Sequence, residues 1–149
     1  MSPRSAEFLQ AARRRLAAAE VVAGEDPSTA LSAAYYAMLY AARAALSERG
    51  VTAKTHRGTW HEFRVAFVES GELDAELAAS VQKVQPEREQ ADYDAWSAPA
   101  EDANHAIEIA HNLLTAIEKL GGTGGVTEPT HASNGPAGRS WTRDELHER

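Results

Sequence analysis

Arg88, Asp92 and Tyr93 are the side chains whose types and spacing come nearest to a reaction centre. They stand four and five positions apart, so on a helix Arg88 and Asp92 share a face and can pair. A guanidinium there can hold a phosphate through its fork of N–H donors. A carboxylate one turn on can orient that phosphate or act as a base, and a tyrosine can stack on a nucleobase. The structural alternative is an Arg–Asp pair that pins the helix, with Tyr93 in the core. Lys54 and His56 form a second grouping, because a lysine and an imidazole at a helix N-terminus make an anion pocket. Against that stands a plain cap at Thr55 or His56 with Lys54 solvated. Arg43 falls among alanines on an apolar helix, where it needs a carboxylate such as Asp92 or must snorkel to solvent. Tyr36 and Tyr40, one turn apart, line either a cleft, a dimer seam or the core.

Other chemistries are poorly supplied. His56 and His61 are five apart, His105 and His111 six apart, and neither spacing puts two imidazoles on one helix face as a zincin does. His61, His105 and His111 read as surface residues, and no metal site is expected. Gly121, Gly122, Gly124 and Gly125 follow a helix and do not lead from a strand into one, so they are no phosphate loop. No cofactor constellation is visible.

The elements that must position these residues are helices. Phe8, Ala12, Leu16, Ala19 and Ala23 recur at three and four, predicting a helix over 5–23. Within it Arg13, Arg14 and Arg15 are consecutive and fan around the axis. Asp26 as N-cap with Pro27 behind it opens a second helix to Arg49, closed by Gly50 at C′. Leu31, Tyr35, Met38, Ala42 and Ala45 give its main face, broadened by Ala34, Leu39 and Leu46. A third helix is expected over 56–69 with Trp60, Phe63 and Phe67 inward. A fourth carries Leu73, Leu77, Val81 and Val84 and is kinked or broken at Pro86, leaving 87–96 as continued helix or turn. The last helix starts near Pro99, with Glu101 and Asp102 in its first turn. Ala103, Ile107, Ala110, Leu114 and Ile117 make its main stripe.

The 149 residues suit one domain. Gly121 to Gly138 holds six of the ten glycines and two of the six prolines and has no apolar period. Residues 121–149 are therefore expected to be a flexible tail after a bundle spanning 1–120, with Trp141 to Leu146 able to form a turn of helix. There is no cysteine, so disulfides and thiolate metal sites are excluded. The net charge of −7 argues against broad nucleic-acid binding, while leaving room for one arginine-lined cleft. No apolar run is long enough for a membrane span, and the charged start reads as no signal peptide, so a cytoplasmic location is expected.

Three segments together resemble the HEPN domain (higher eukaryotes and prokaryotes nucleotide-binding), in its UPF0332 branch. They are SAAYYAMLYAARAAL at 32–46; Lys54-Thr55-His56-Arg57-Gly58 with Phe63 and the run from Phe67 to Leu73; and Arg88-Glu89-Gln90-Ala91-Asp92-Tyr93. The resemblance covers roughly residues 5–120. It implies an all-α, up-and-down bundle of four or five helices that dimerises, and an RNA- or nucleotide-directed, toxin-like role in a toxin–antitoxin or defence module. The implied partners are a second copy, RNA, and a minimal nucleotidyltransferase antitoxin that modifies a tyrosine such as Tyr93. It further implies Arg88, Asp92 and Tyr93 as catalytic residues, with Arg43, Lys54, His56 and Tyr36 binding nucleotide or RNA. The family's usual signature is an Arg followed four to six residues later by a His. Here Asp92, Tyr93 and Asp94 occupy that window, which leaves the ribonuclease assignment open. The alternative is a non-catalytic interaction module that docks a nucleotidyltransferase.

Overall fold

The computed structural model describes residues 2–93 and 98–125, with the side chains at 87, 90–93 and 121–125 outside that description. Five helices follow one another: α1 Pro3–Val22, α2 Pro27–Glu48, α3 His56–Phe63, α4 Ala75–Tyr93 and α5 Ala100–Gly125. Among the described residues there is no strand, and the fold is the all-α bundle that the spacing predicts. A π-helical turn, Arg64–Val68, extends α3 almost to the expected Glu69. None of the described helices is long and apolar enough to cross a membrane.

The helix ends follow local chemistry. Asp26 accepts from the Thr29 backbone N–H at 3.2 Å and from its hydroxyl at 2.7 Å, so the predicted cap ahead of Pro27 is present. Those bonds hold its carboxyl below the usual aspartate range. At the other end of α2, Gly50 takes φ +72°, a left-handed conformation that favours glycine. Gly50 and Val51 return hydrogen bonds to the Ser47 and Leu46 carbonyls, reversing the chain toward α3. Thr55 caps α3, accepting from Gly58 N–H at 2.8 Å.

Helix α2 is the axis of the molecule and packs against α1, α3, α4 and α5. From Ala37 to Leu46 every residue is buried. Reading this helix as one broadened face was therefore too narrow. Alanine fits any helix face, and its small side chain lets a neighbour approach from every direction. Leu9, Leu16, Met38, Leu39, Leu113 and Leu114 fill the space between α1, α2 and α5.

Two boundaries resolve differently from a simple reading. Helix α4 runs through Pro86 to Tyr93, so the proline removes one backbone donor without ending the helix. Helix α5 continues past Leu120 to Gly125, because glycine lowers helix propensity yet still supplies N–H and C=O groups to the ladder. The proposed tail from residue 126 onward, with Trp141 to Leu146, lies outside the described residues.

Candidate functional site

The chemistry gathers where the tyrosines of α2 meet α1, α3 and α4. Tyr35 and Tyr36 are consecutive on α2, and their rings meet edge to face at 5.5 Å. From α4, the Arg88 guanidinium carbon lies 5.0 Å from the Tyr35 centroid and 5.5 Å from the Tyr36 centroid. From the first turn of α3, the His56 ring lies 5.7 Å from Tyr35 and 5.6 Å from Tyr36. Two helices thus bring Arg88 and His56 to one pair of rings on α2.

A polar chain runs beneath them. The Trp60 indole N–H donates to Tyr35 Oη at 3.0 Å. Tyr35 Oη also lies 3.4 Å from His56 Nδ1, a long contact whose donor is set by the imidazole tautomer. Burial pushes the Tyr35 hydroxyl above the ordinary tyrosine range, against the opposing pull of the Trp60 hydrogen bond and the Arg88 charge. Tyr35 is fully enclosed while Tyr36 is half-buried, so the first anchors the cluster and the second faces outward.

Arg43 and Lys54 stand apart from this cluster. Arg43 is only 5% exposed, which decides against snorkelling to solvent and for the buried alternative. Its Nε donates to Thr59 Oγ1 at 3.1 Å, and Thr59 in turn donates to the Thr55 carbonyl at 2.8 Å. The all-round burial of α2 leaves the side chain no route to water, so it ties α2 to α3 from within. Lys54 is exposed beside the α3 cap. The backbone positions of Arg88 and Asp92 lie one turn apart on α4; the Asp92 and Tyr93 side chains fall outside the described residues. His61, His105 and His111 are exposed, and His111 pairs with Glu20 at 2.5 Å. Among the described residues no group of three or more His, Cys, Asp or Glu is placed to hold a metal ion.

Two contributors, Trp60 and Arg15, were not singled out by sequence as site residues. Trp60 and Tyr35 both satisfy an apolar pattern, and nothing in that pattern distinguishes a ring with a bonded polar atom from one without. Arg15 is the other: its Cζ lies 5.6 Å from the Tyr36 centroid and 5.6 Å from that of Tyr40. Spacing holds the signal, since Arg15 is three past Ala12 and four before Ala19, at the edge of the buried stripe.

Comparison with known proteins points to one family. The HEPN domain family model matches residues 5–120, which include every residue of the cluster. A protein of Methanocaldococcus jannaschii, named as a candidate toxin, is 30% identical over 115 residues, covering 76% of this chain and 78% of the relative. A UPF0332 protein of Gloeobacter violaceus is 33% identical over 78 residues, 52% of this chain and 62% of its own. One from Thermotoga maritima is 30% identical over 93 residues, 62% of this chain and 70% of the relative.

Proposed function

Because the chain belongs to the HEPN domain family, we propose that it is an RNA- or nucleotide-directed, toxin-like component of a toxin–antitoxin or defence module, acting as a helical dimer. The observation that carries this reading is Arg88 lying over Tyr35 and Tyr36, with His56 against the same two rings. A guanidinium recognises a phosphate through its planar fork of N–H donors. Tyr36, half-buried at the same place, lines the cleft. His56 and Lys54 add an imidazole and an ammonium at the start of α3, and Arg43 positions that helix through Thr59.

In this reading Arg88 clamps the phosphate and Asp92, one turn on, orients it or takes the proton of the attacking ribose hydroxyl. Tyr93 stacks on the base or accepts a transferred nucleotide. A second copy of the chain completes the cleft. Arg88→Ala and Asp92→Ala are expected to abolish growth arrest on expression and to weaken RNA binding at least tenfold. Variants as toxic and as RNA-competent as wild type would remove the proposal.

One sequence feature favours a second reading. The window after Arg88 that would hold a histidine contains Asp92, Tyr93 and Asp94, so the side chain best suited to proton transfer near neutral pH is missing there. A non-catalytic dimer that docks a minimal nucleotidyltransferase would keep the cluster as a recognition surface. Co-purification with such a partner, together with absence of RNA turnover, supports it.

A further inference from the structure

Strand cleavage by a ribose 2′-hydroxyl needs two proton transfers, one from the attacking oxygen and one to the 5′-oxygen that leaves. With Asp92 taking the first, the second falls to another group. No histidine follows Arg88 in the window that ends at Asp94, and an alkoxide leaves poorly unless it is protonated.

Tyr35, Tyr36, His56 and Trp60 each carry a proton in the Arg88 cluster, and burial and hydrogen bonding separate them. Tyr35 is fully enclosed, and its hydroxyl accepts from Trp60 and lies 3.4 Å from His56 Nδ1. The Trp60 N–H is engaged in that same bond. His56 has its Nε2 enclosed and its Nδ1 turned to Tyr35. Tyr36 differs from all three. It is half-buried, and among the described residues its hydroxyl is neither enclosed nor hydrogen-bonded. Its ring is held all the same, with Tyr35 at 5.5 Å, His56 at 5.6 Å and Tyr40 at 6.5 Å. The Arg88 guanidinium carbon lies 5.5 Å from the Tyr36 centroid, so a phosphodiester bound at Arg88 arrives beside this ring. A phenol held in place with its hydroxyl open loses little freedom when a ligand binds.

We propose that Tyr36 is the general acid of the site, its hydroxyl supplying the proton that the leaving 5′-oxygen takes. The proposal rests on the RNA-directed reading of Arg88 and Asp92, and it adds a proton donor from α2. As the ribose 2′-oxygen bonds to phosphorus, its proton passes to the Asp92 carboxylate. The bond from phosphorus to the 5′-oxygen breaks, and that oxygen keeps the electron pair and takes the Tyr36 proton. The products are a 2′,3′-cyclic phosphate and a 5′-hydroxyl. Asp92 then releases its proton to water, and the Tyr36 phenolate regains one from water.

The test compares full-length wild type, Tyr36→Phe and Arg88→Ala on two oligoribonucleotides, with circular dichroism confirming the helical fold. The first contains a linkage that wild type cuts in a mixed RNA pool. The second is identical except that sulfur replaces the bridging 5′-oxygen of that linkage, since a thiolate is a weak enough base to leave unprotonated. Tyr36→Phe should lower kcat on the oxygen linkage at least about a hundredfold and leave KM unchanged. On the sulfur linkage it should regain most of the wild-type rate, whereas Arg88→Ala should be impaired on both. Undiminished cleavage of the oxygen linkage by Tyr36→Phe, with Arg88→Ala impaired, would overturn the acid and leave the Arg88 reading standing. Equal losses on the two linkages in a folded Tyr36→Phe would make its hydroxyl a binding or packing group, and would overturn the acid too. If wild type cleaves no RNA, cleavage at the Arg88 site falls and the acid with it.

Discussion

The two halves of α2 use the same helix for opposite purposes. From Ala37 to Leu46 it is enclosed on all sides, and even Arg43 is drawn inside to meet Thr59. One turn earlier, Tyr35 and Tyr36 put hydroxyl-bearing rings at a junction of helices, where His56, Trp60, Arg88 and Arg15 gather. Alanines let neighbouring backbones come close and leave nothing for a ligand. Tyrosines hold the neighbours at ring distance and offer faces to cations. The comparison separates a stretch enclosed on every side from one whose neighbours include the half-buried Tyr36 and the exposed Arg15.

Breaking the enclosed half should cost the most. Leu46, 1% exposed, loses its packing and leaves a cavity on substitution by alanine. Leu46→Ala is expected to destabilise the chain by about 2–5 kcal/mol in urea unfolding, with Arg88-dependent activity intact in the fraction that remains folded. Thr59→Val is the next step down. It removes the acceptor for Arg43 Nε and the donor to the Thr55 carbonyl, and about 1–3 kcal/mol should be lost.

Tyr35→Phe sharpens the boundary between the halves, since it deletes only the hydroxyl between Trp60 and His56. A loss of about 1 kcal/mol is expected near neutral pH. Its pH dependence follows from the raised ionisation of Tyr35. The folded state favours the neutral phenol, so the stabilisation is complete below the unfolded tyrosine value of about 10. It declines as pH rises from there through the folded value. The stability difference between wild type and Tyr35→Phe should therefore narrow above that pH; a constant difference would show that the hydroxyl is not shielded.

Tyr36→Ala should have a limited effect on stability and a clear one on function. The ring is half-buried, so unfolding should shift by less than about 2 kcal/mol, while ligand binding falls because Arg15 and Arg88 lose the ring they share. A large loss of stability with unchanged binding would place Tyr36 in the enclosed half.

How much of this was legible in the sequence differs between the halves as well. The cap at Asp26 and the reversal at Gly50 rest on short-range chemistry, and sequence identifies them directly, while the cap of α3 was left between Thr55 and His56. The enclosure of α2 was read as a single face because alanine occurs equally on buried and exposed surfaces. For the same reason Arg43 was left between a buried partner and solvent, and only the packing of α1, α3, α4 and α5 around it decides. At the site, Arg88, His56 and Tyr36 were singled out, but their meeting depends on helices far apart in the chain. Arg15 was hidden among three adjacent arginines, although its offset from Ala12 and Ala19 distinguishes it from Arg13 and Arg14.

The central claim is that the open end of α2 carries an RNA-directed site organised by Arg88. Incubating purified wild type and Arg88→Ala with total tRNA and a mixed RNA pool tests it most directly. Cleavage by wild type that disappears in a folded Arg88→Ala variant is the predicted result. No cleavage by purified, dimeric wild type, or cleavage that survives the substitution, would contradict it.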